Sequence, residues 1–440
     1  MSGVDRFTMP SMGMRPARPQ IDSTAGGIPL SFIGLAAFIC GLCIDVRLEV
    51  VGEVYLVEPL LCMLALQRVL SRGAGSHFVP SAFTSFLVAG LLTFCGYLLA
   101  DLVAANEPWQ YLKGWGRVAL LIVDCAALMI VAAQGRKVLW WLVLGIGIGG
   151  IASLLLQGVP LTQWKLGYAE YVALLVVTLS ALAPPLVSIP LIGGFGAFCI
   201  AVDYRSLGAA CVLVAGAMVW QAMGRRQSRA AWLRGLGPIA LFVIVGAALL
   251  FLLGATKEDY RDRREASTVG RYVVVMVALR AISESPLVGY GSWAIADQNY
   301  TRMIRDEVQH RVESSSTRQY AEDNLVRSLM PHSQLIQVWL EGGILGLSFF
   351  LLYGARIARA LQWFTMRHPL DAVAPLYVFF LVEGAWNLVA SPFLGSHRVH
   401  IAITVAICML AIYQRNRERA SGRRAGTAIG IPASRISPVR

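Results

Sequence analysis

Three side chains define the chemistry open to this sequence: Arg205, Arg271 and His332. Arg205 follows Asp203-Tyr204 between two apolar runs. Arg271 opens an amphipathic stretch. His332 stands in Pro331-His332-Ser333, where a long polar segment meets an apolar run with Trp339 and then Glu341-Gly342-Gly343-Ile344-Leu345-Gly346. A guanidinium stays charged and grips phosphate through a planar fork of donors. An imidazole gains and loses a proton near neutral pH. Two arginines and one histidine at a membrane surface would hold a lipid-linked pyrophosphate and handle one proton. Taken singly, each has a plainer reading. An arginine at a span end snorkels or pairs with an acid, and an interfacial histidine makes structural hydrogen bonds.

The elements that must position these residues are membrane helices. Hydrophobic residues make up 56% of the 440-residue chain and charged residues 15%, less charge than a soluble chain of this size carries. Many segments stay apolar over the roughly 17–25 residues that cross a bilayer. The fold class is therefore an all-α polytopic membrane protein. Twelve spans are expected, at about 27–46, 50–68, 83–104, 115–134, 138–157, 166–184, 186–204, 206–223, 238–255, 334–355, 372–390 and 398–414. The second is weak, because Glu53 and Glu58 interrupt it. The first is retained rather than cleaved, since Arg47 and Glu49 follow it instead of a small-residue cleavage site.

Charge gives the topology. The net charge of +12 is concentrated in joints between spans and in a tail with Arg415, Arg417, Arg419, Arg423, Arg424, Arg435 and Arg440 against Glu418 alone. This is the positive-inside pattern of cytoplasmic flanks, not a nucleic-acid surface. The inner joints carry Arg68/Arg72, Arg136/Lys137, Arg225/Arg226/Arg229/Arg234 and Arg356/Arg359/Arg367; only Ala183-Pro184-Pro185 is uncharged. Both termini are then cytoplasmic. The expected organisation is a cytoplasmic tail (1–26), nine spans (27–255), a large external loop (256–331), three spans (332–414) and a basic tail (415–440). The loop balances eleven Lys/Arg against eleven Asp/Glu, and so long a connection between short ones is usually functional. Within it Gly270 to Ile282 reads as an amphipathic helix and Ser285-Pro286-Leu287-Val288-Gly289-Tyr290-Gly291 as a turn.

The eight cysteines all lie in apolar segments and form no disulfide framework. Gly145, Gly147, Gly149 and Gly150 imitate a phosphate loop but sit mid-span without a strand or a lysine, so they read as close helix packing. Arg280 and Glu284 pair at i,i+4. Asp124 and Glu383 are intramembrane acids, with structural and functional readings both open. Arg117 lies near the start of the fourth span. His397 and His400, one turn apart, read first as structural, since two histidines alone are weak evidence for zinc. No metal site and no cofactor are expected.

The stretch His332-Ser333, nine residues, Gly343, two residues, Gly346 resembles the signature of the bacterial O-antigen ligase and repeat-unit polymerase superfamily. Arg271, Ala278, Ser285-Pro286-Leu287 and Gly289-Tyr290-Gly291 resemble that family's external-loop pattern, and Tyr204-Arg205-Ser206-Leu207-Gly208-Ala209 its Ser-Arg-Gly turn. The resemblance covers about residues 195–360. Tyr204 replaces the usual serine, and Val274/Val275 stand where an aromatic is common. The resemblance implies a GT-C-like architecture: about twelve transmembrane helices with one large periplasmic loop, in a bacterial inner membrane. It further implies metal-independent glycosyl transfer from an undecaprenyl-pyrophosphate-linked glycan. Arg205 and Arg271 would bind the pyrophosphate, and His332 would serve as general base or orient the acceptor. Glu341 would brace His332 or Arg271, or pair within its own helix, and Arg280 would lend support.

The chain as a whole is similar to exopolysaccharide (xanthan-type) polymerases, so the expected function is joining lipid-linked repeat units into an exopolysaccharide or O-antigen. Its partners would be the lipid-linked glycan, membrane lipid, a flippase and a chain-length regulator. The alternative is an O-antigen ligase moving finished glycan to lipid A core. A transporter, the alternative of another class, predicts broken helices in inverted halves and a midplane polar site, symmetry that the sequence does not show.

Overall fold

Glycine lets the first and fifth expected spans touch backbone to backbone. Helix α1 (Phe32–Leu42) and α5 (Arg136–Leu156) cross where a Cβ on Gly145 would strike the Phe38 carbonyl and one on Gly41 the Leu142 carbonyl. Such close contact of small residues is how helices associate without a hydrophobic drive between them. The glycine run of α5 is thus a packing surface.

The computed structural model describes residues 31–49, 53–72, 81–104, 108–133, 136–165, 167–202, 204–223, 261–292, 302–303, 306–307, 330–366, 373–395 and 397–428. The expected ninth span, 238–255, and residues 256–260, 293–301, 304–305 and 308–329 of the external loop lie outside the described residues. After α1 come β1 (Arg47–Glu49) and β2 (Glu53–Tyr55), then α2 (Val57–Arg72), α3 (Ser81–Ala104), α4 (Pro108–Ala132), α6 (Tyr168–Ser180), α7 (Pro185–Ala201) and α8 (Arg205–Met223). Beyond these lie α9 (Arg261–Glu284), α10 (Gln334–Gly346), α11 (Ser348–Met366), α12 (Ala374–Ala390) and α13 (His397–Ala428). One continuous apolar core joins α1 to α8 with α10 to α13, while α9 forms a second cluster on the side of α10.

Two expected spans are corrected. Residues 50–68 do not form one helix. Strands β1 and β2 pair antiparallel, with Arg47 opposite Tyr55 and Glu49 opposite Glu53, and α2 begins only at Val57. Glu58 lies in the first turn of α2, where its carboxylate accepts the Tyr55 amide at 2.8 Å. An acid there complements the positive helix end. Nor is 334–355 one straight span: α10 and α11 meet at Leu347 with a bend of 111°, and Gly343 holds φ +61°.

Among the described residues four helices are long and apolar enough to cross a membrane, or five if the bent pair counts as one. Phe32–Leu42, Tyr168–Ser180, Pro185–Ala201, Arg205–Gln221 and Ala374–Ala390 are apolar but have 10–17 residues. At about 1.5 Å per residue such helices fall short of a hydrocarbon core about 30 Å thick.

The bend has an identifiable lock. Breaking the helical ladder at Gly343 frees the carbonyls of Leu340 and Glu341. The amides of Tyr290 and Gly291 donate to them at 2.8 and 3.0 Å, and the Ile344 amide donates back to Leu287 at 3.2 Å. The Trp339 indole donates to the Pro286 carbonyl at 2.9 Å. The turn at 285–291 is therefore seated in the break of α10. A Cβ on Gly343 would strike the Leu287 carbonyl, and left-handed strain at a non-glycine residue adds about 1–3 kcal/mol. Gly343→Ala is expected to lower the thermal unfolding midpoint of the detergent-solubilised protein by several degrees. A midpoint equal to wild type would show that the turn is not seated there.

Candidate active site

His332 is placed by a helix cap. Ser333 is the N-cap of α10: its hydroxyl accepts the Ile336 amide at 3.4 Å and donates to the Leu388 carbonyl of α12 at 3.3 Å. A serine at this position satisfies one of the orphan amides of the first turn. With Ser333 and Gln334 buried, His332 sits half-buried one residue outside the helix.

Arg271 is brought to it by an apolar stripe. Val273, Val274, Val277, Ala278 and Ala281 recur at helical spacing on α9 and pack against Leu340, Ile336 and Trp339 of α10. Val274, standing where the family pattern has an aromatic, is part of this buried face. Arg271, exposed on α9, acts on His332 electrostatically. Burial first, and then the Arg271 cation, hold the His332 imidazole below the usual histidine range. A neutral imidazole at pH 7 is the form that accepts a proton.

Arg205 begins α8, half-buried at the turn of the α7–α8 hairpin. The Tyr204 amide closes that turn onto Cys199 O at 2.8 Å. α8 packs on α12, and α12 packs on α10. Arg205 and His332 thus belong to helices joined through α12. Arg280 lies on the exposed side of α9, its Nε 3.8 Å from Glu284, the expected i,i+4 pair.

Glu341 faces elsewhere than toward His332 or Arg271. It is buried and ion-paired with Arg117 of α4. It accepts the Tyr97 hydroxyl at 2.6 Å and the Gln337 amide at 3.3 Å. Arg117 also donates to the Phe393 carbonyl at 3.1 Å, and Gln337 accepts the Phe393 amide at 2.7 Å. Helices α3, α4 and α10 and the segment before α13 are thereby tied at one point, two turns below His332. The sequence shows Glu341 and Arg117 as isolated charges; nothing in it marks them as partners 224 positions apart.

Asp101 was not singled out from sequence. It is buried near the end of α3, where it accepts the Ser292 hydroxyl at 2.7 Å and the Trp115 indole at 2.6 Å, with the Ser292 amide on its other oxygen. It anchors the chain just after the 285–291 turn. An acid four residues from the end of an apolar run was the available signal. Asp124 is fully buried in α4 beside the Glu58 carboxyl, which is itself paired with Arg398 at 2.7 Å. His397 and His400 line a small void with Gln334, Glu383 and Asn387, and His400 Nε2 lies 3.5 Å from Glu170.

Apolar helices joined through glycine contacts, with their charges paired in buried clusters or held at helix ends, define a multi-pass membrane protein. Residues 192–351 match the family described as O-antigen ligase. The superfamily resemblance is thus shown for the region that holds Arg205, Arg271, Glu341 and His332, a family of glycosyltransferase-like enzymes whose substrates are lipid-linked glycans. No curated protein matches the chain. Arg117 and Tyr97, two of the partners of Glu341, lie outside the matched region.

Proposed function

We propose that the protein is an inner-membrane glycan polymerase that joins undecaprenyl-pyrophosphate-linked repeat units at the periplasmic face, without a metal ion. The observation that carries this reading is that Arg205, Arg271 and the half-buried His332 all fall within the family-matched region. In the reaction, a sugar hydroxyl of one unit attacks the anomeric carbon of another. A carbon–oxygen bond forms there as the bond to pyrophosphate breaks, the hydroxyl proton passes to the His332 imidazole, and the lipid pyrophosphate leaves as an anion. Fixed cations where that charge develops stabilise the transition state, the role of Arg205 and Arg271. Glu341 and Arg117 act at a distance, by holding α10.

The family match favours a second reading, a ligase that transfers finished glycan to lipid A core. Both readings share the donor chemistry and differ in the acceptor. The transporter reading requires broken helices in both halves; among the described residues the α10–α11 pair is the one such break.

The test is a deletion strain complemented with wild type, Arg205→Ala or Arg271→Ala. Each variant is expected at wild-type membrane abundance, with unpolymerised lipid-linked repeat units accumulating and polymer reduced at least about tenfold, the scale of one lost charge-assisted contact. Preformed polymer left unattached to lipid A core, with its length unchanged, would establish the ligase instead. Full polymer yield from both variants would remove the arginines from the mechanism.

A further inference from the structure

A second cavity opens between joints that do not include His332. It has a volume of about 310 Å³ and is lined by Asp45, Arg47, Gln157, Lys165, Glu170 and Tyr171, with Tyr204 closing one wall. These residues come from three separate joints: the α1–β1 turn, the α5–α6 connection with the start of α6, and the α7–α8 turn. The charge pattern assigns all three joints to the non-cytoplasmic side. The volume lies at the lower end of small-molecule sites, roughly 300–1,000 Å³.

Its chemistry points to one ligand class. Two acidic and two basic side chains share the wall, so an anionic group placed there would meet Asp45 and Glu170 as well as Arg47 and Lys165. A sugar, whose hydroxyls both donate and accept, matches such a mixed lining. The Tyr171 hydroxyl donates to the Asp45 carboxylate, 2.7 and 2.8 Å from its two oxygens, and fixes its position. Glu170 is steadied by His400 at 3.5 Å. Polar groups held in place before a ligand arrives reduce the ordering cost of binding. Tyr204 forms the wall nearest the pyrophosphate site, because the next residue is Arg205.

We infer that this cavity binds the sugar part of the donor, adjoining its pyrophosphate. The assignment rests on the reading under Proposed function for the identity of the donor, but not on any transfer taking place. The lining then selects the glycan, while the arginines bind the phosphates common to every lipid pyrophosphate.

The test uses the full-length protein in nanodiscs with Gln157→Cys at the exposed mouth of the cavity. The native cysteines are controlled by wild type under the same bulky maleimide. The probes are lipid-linked repeat unit extracted from the deletion strain and undecaprenyl pyrophosphate without sugar. The glycosylated lipid is expected to slow labelling at least about tenfold and the bare lipid to leave it unchanged. Lys165→Ala should abolish that protection and raise the donor KM about tenfold, the scale of one lost charge-assisted hydrogen bond, with kcat within twofold. Equal protection by both lipids, no protection by either, or an unchanged KM in Lys165→Ala each overturns the assignment. Protection without polymer formation would retain the subsite and remove the proposed reaction. Polymer formation without protection would do the reverse.

Discussion

His332→Ala should lower glycan transfer by about 10²–10⁴-fold, the usual contribution of a positioned general base, while the protein inserts and folds as wild type. The second half of that expectation follows from position. His332 lies outside α10, whose first turn is capped by Ser333 and held by Gln337 and Glu341. Losing the imidazole removes none of these contacts. Purified variant should therefore keep its unfolding midpoint, bind the lipid-linked donor and fail to turn it over. The pH profile supplies a readout that a purely structural histidine would not move. In the proposed reaction the neutral imidazole accepts the proton, so kcat should fall as pH drops through the pKa of His332. Burial and the Arg271 cation depress that pKa, so the acid limb should lie below the ordinary histidine value. Arg271→Ala removes one of the two depressing causes, and the limb should then move to higher pH in whatever kcat remains. A profile that stays in place in Arg271→Ala, or full transfer by His332→Ala, would end the role given to this residue.

Arg117→Met should destabilise the protein by about 3–5 kcal/mol, because it leaves Glu341 charged, buried and without its ion partner. Arg117 and Glu341 are 5% and 1% exposed, so water cannot take the place of the lost guanidinium. The same variant frees the Phe393 carbonyl and a contact to the Tyr97 hydroxyl. The double variant Arg117→Met, Glu341→Met replaces both charges with apolar groups and should recover most of the stability, which a cavity-type defect would not do. Unfolding by denaturing detergent, followed by tryptophan fluorescence, measures both. A single variant as stable as wild type would mean that the pair does not hold α10 in place. Transfer is expected to fall in the double variant even as stability returns, since α10, which presents His332, loses its ion pair to α4.

Parts of this arrangement were legible in the chain. The apolar positions at 273, 274, 277, 278 and 281 recur at helical spacing, so α9 and its buried face could be read directly. The glycines of α5 announced close packing because nothing else explains four of them inside an apolar run. Their partners, Phe38 on α1 and Tyr171 on α6, could not be read, because periodicity reports which face is buried and not against what. The β1–β2 pair was hidden by its apolar residues, which extend the hydrophobic run, although Glu53 and Glu58 already disturbed it. The bend between α10 and α11 was hidden for a similar reason. Composition stays apolar across residues 334–355, and a glycine inside a helix does not by itself disclose φ +61°. It becomes a break because the 285–291 turn supplies donors for the carbonyls it frees.

Membrane character, the positive-inside order of the joints and the identity of Arg205, Arg271 and His332 as a set come from the sequence by itself, because hydropathy, charge and motif order are properties of residues along a line. Which of these residues meet was decided only by the tertiary structure. Glu341 joins Arg117 of α4, and three joints far apart in the chain enclose one polar cavity. Low-dielectric burial makes each such charge depend on a specific partner, and the partner is set by how helices pack, which a linear pattern does not contain.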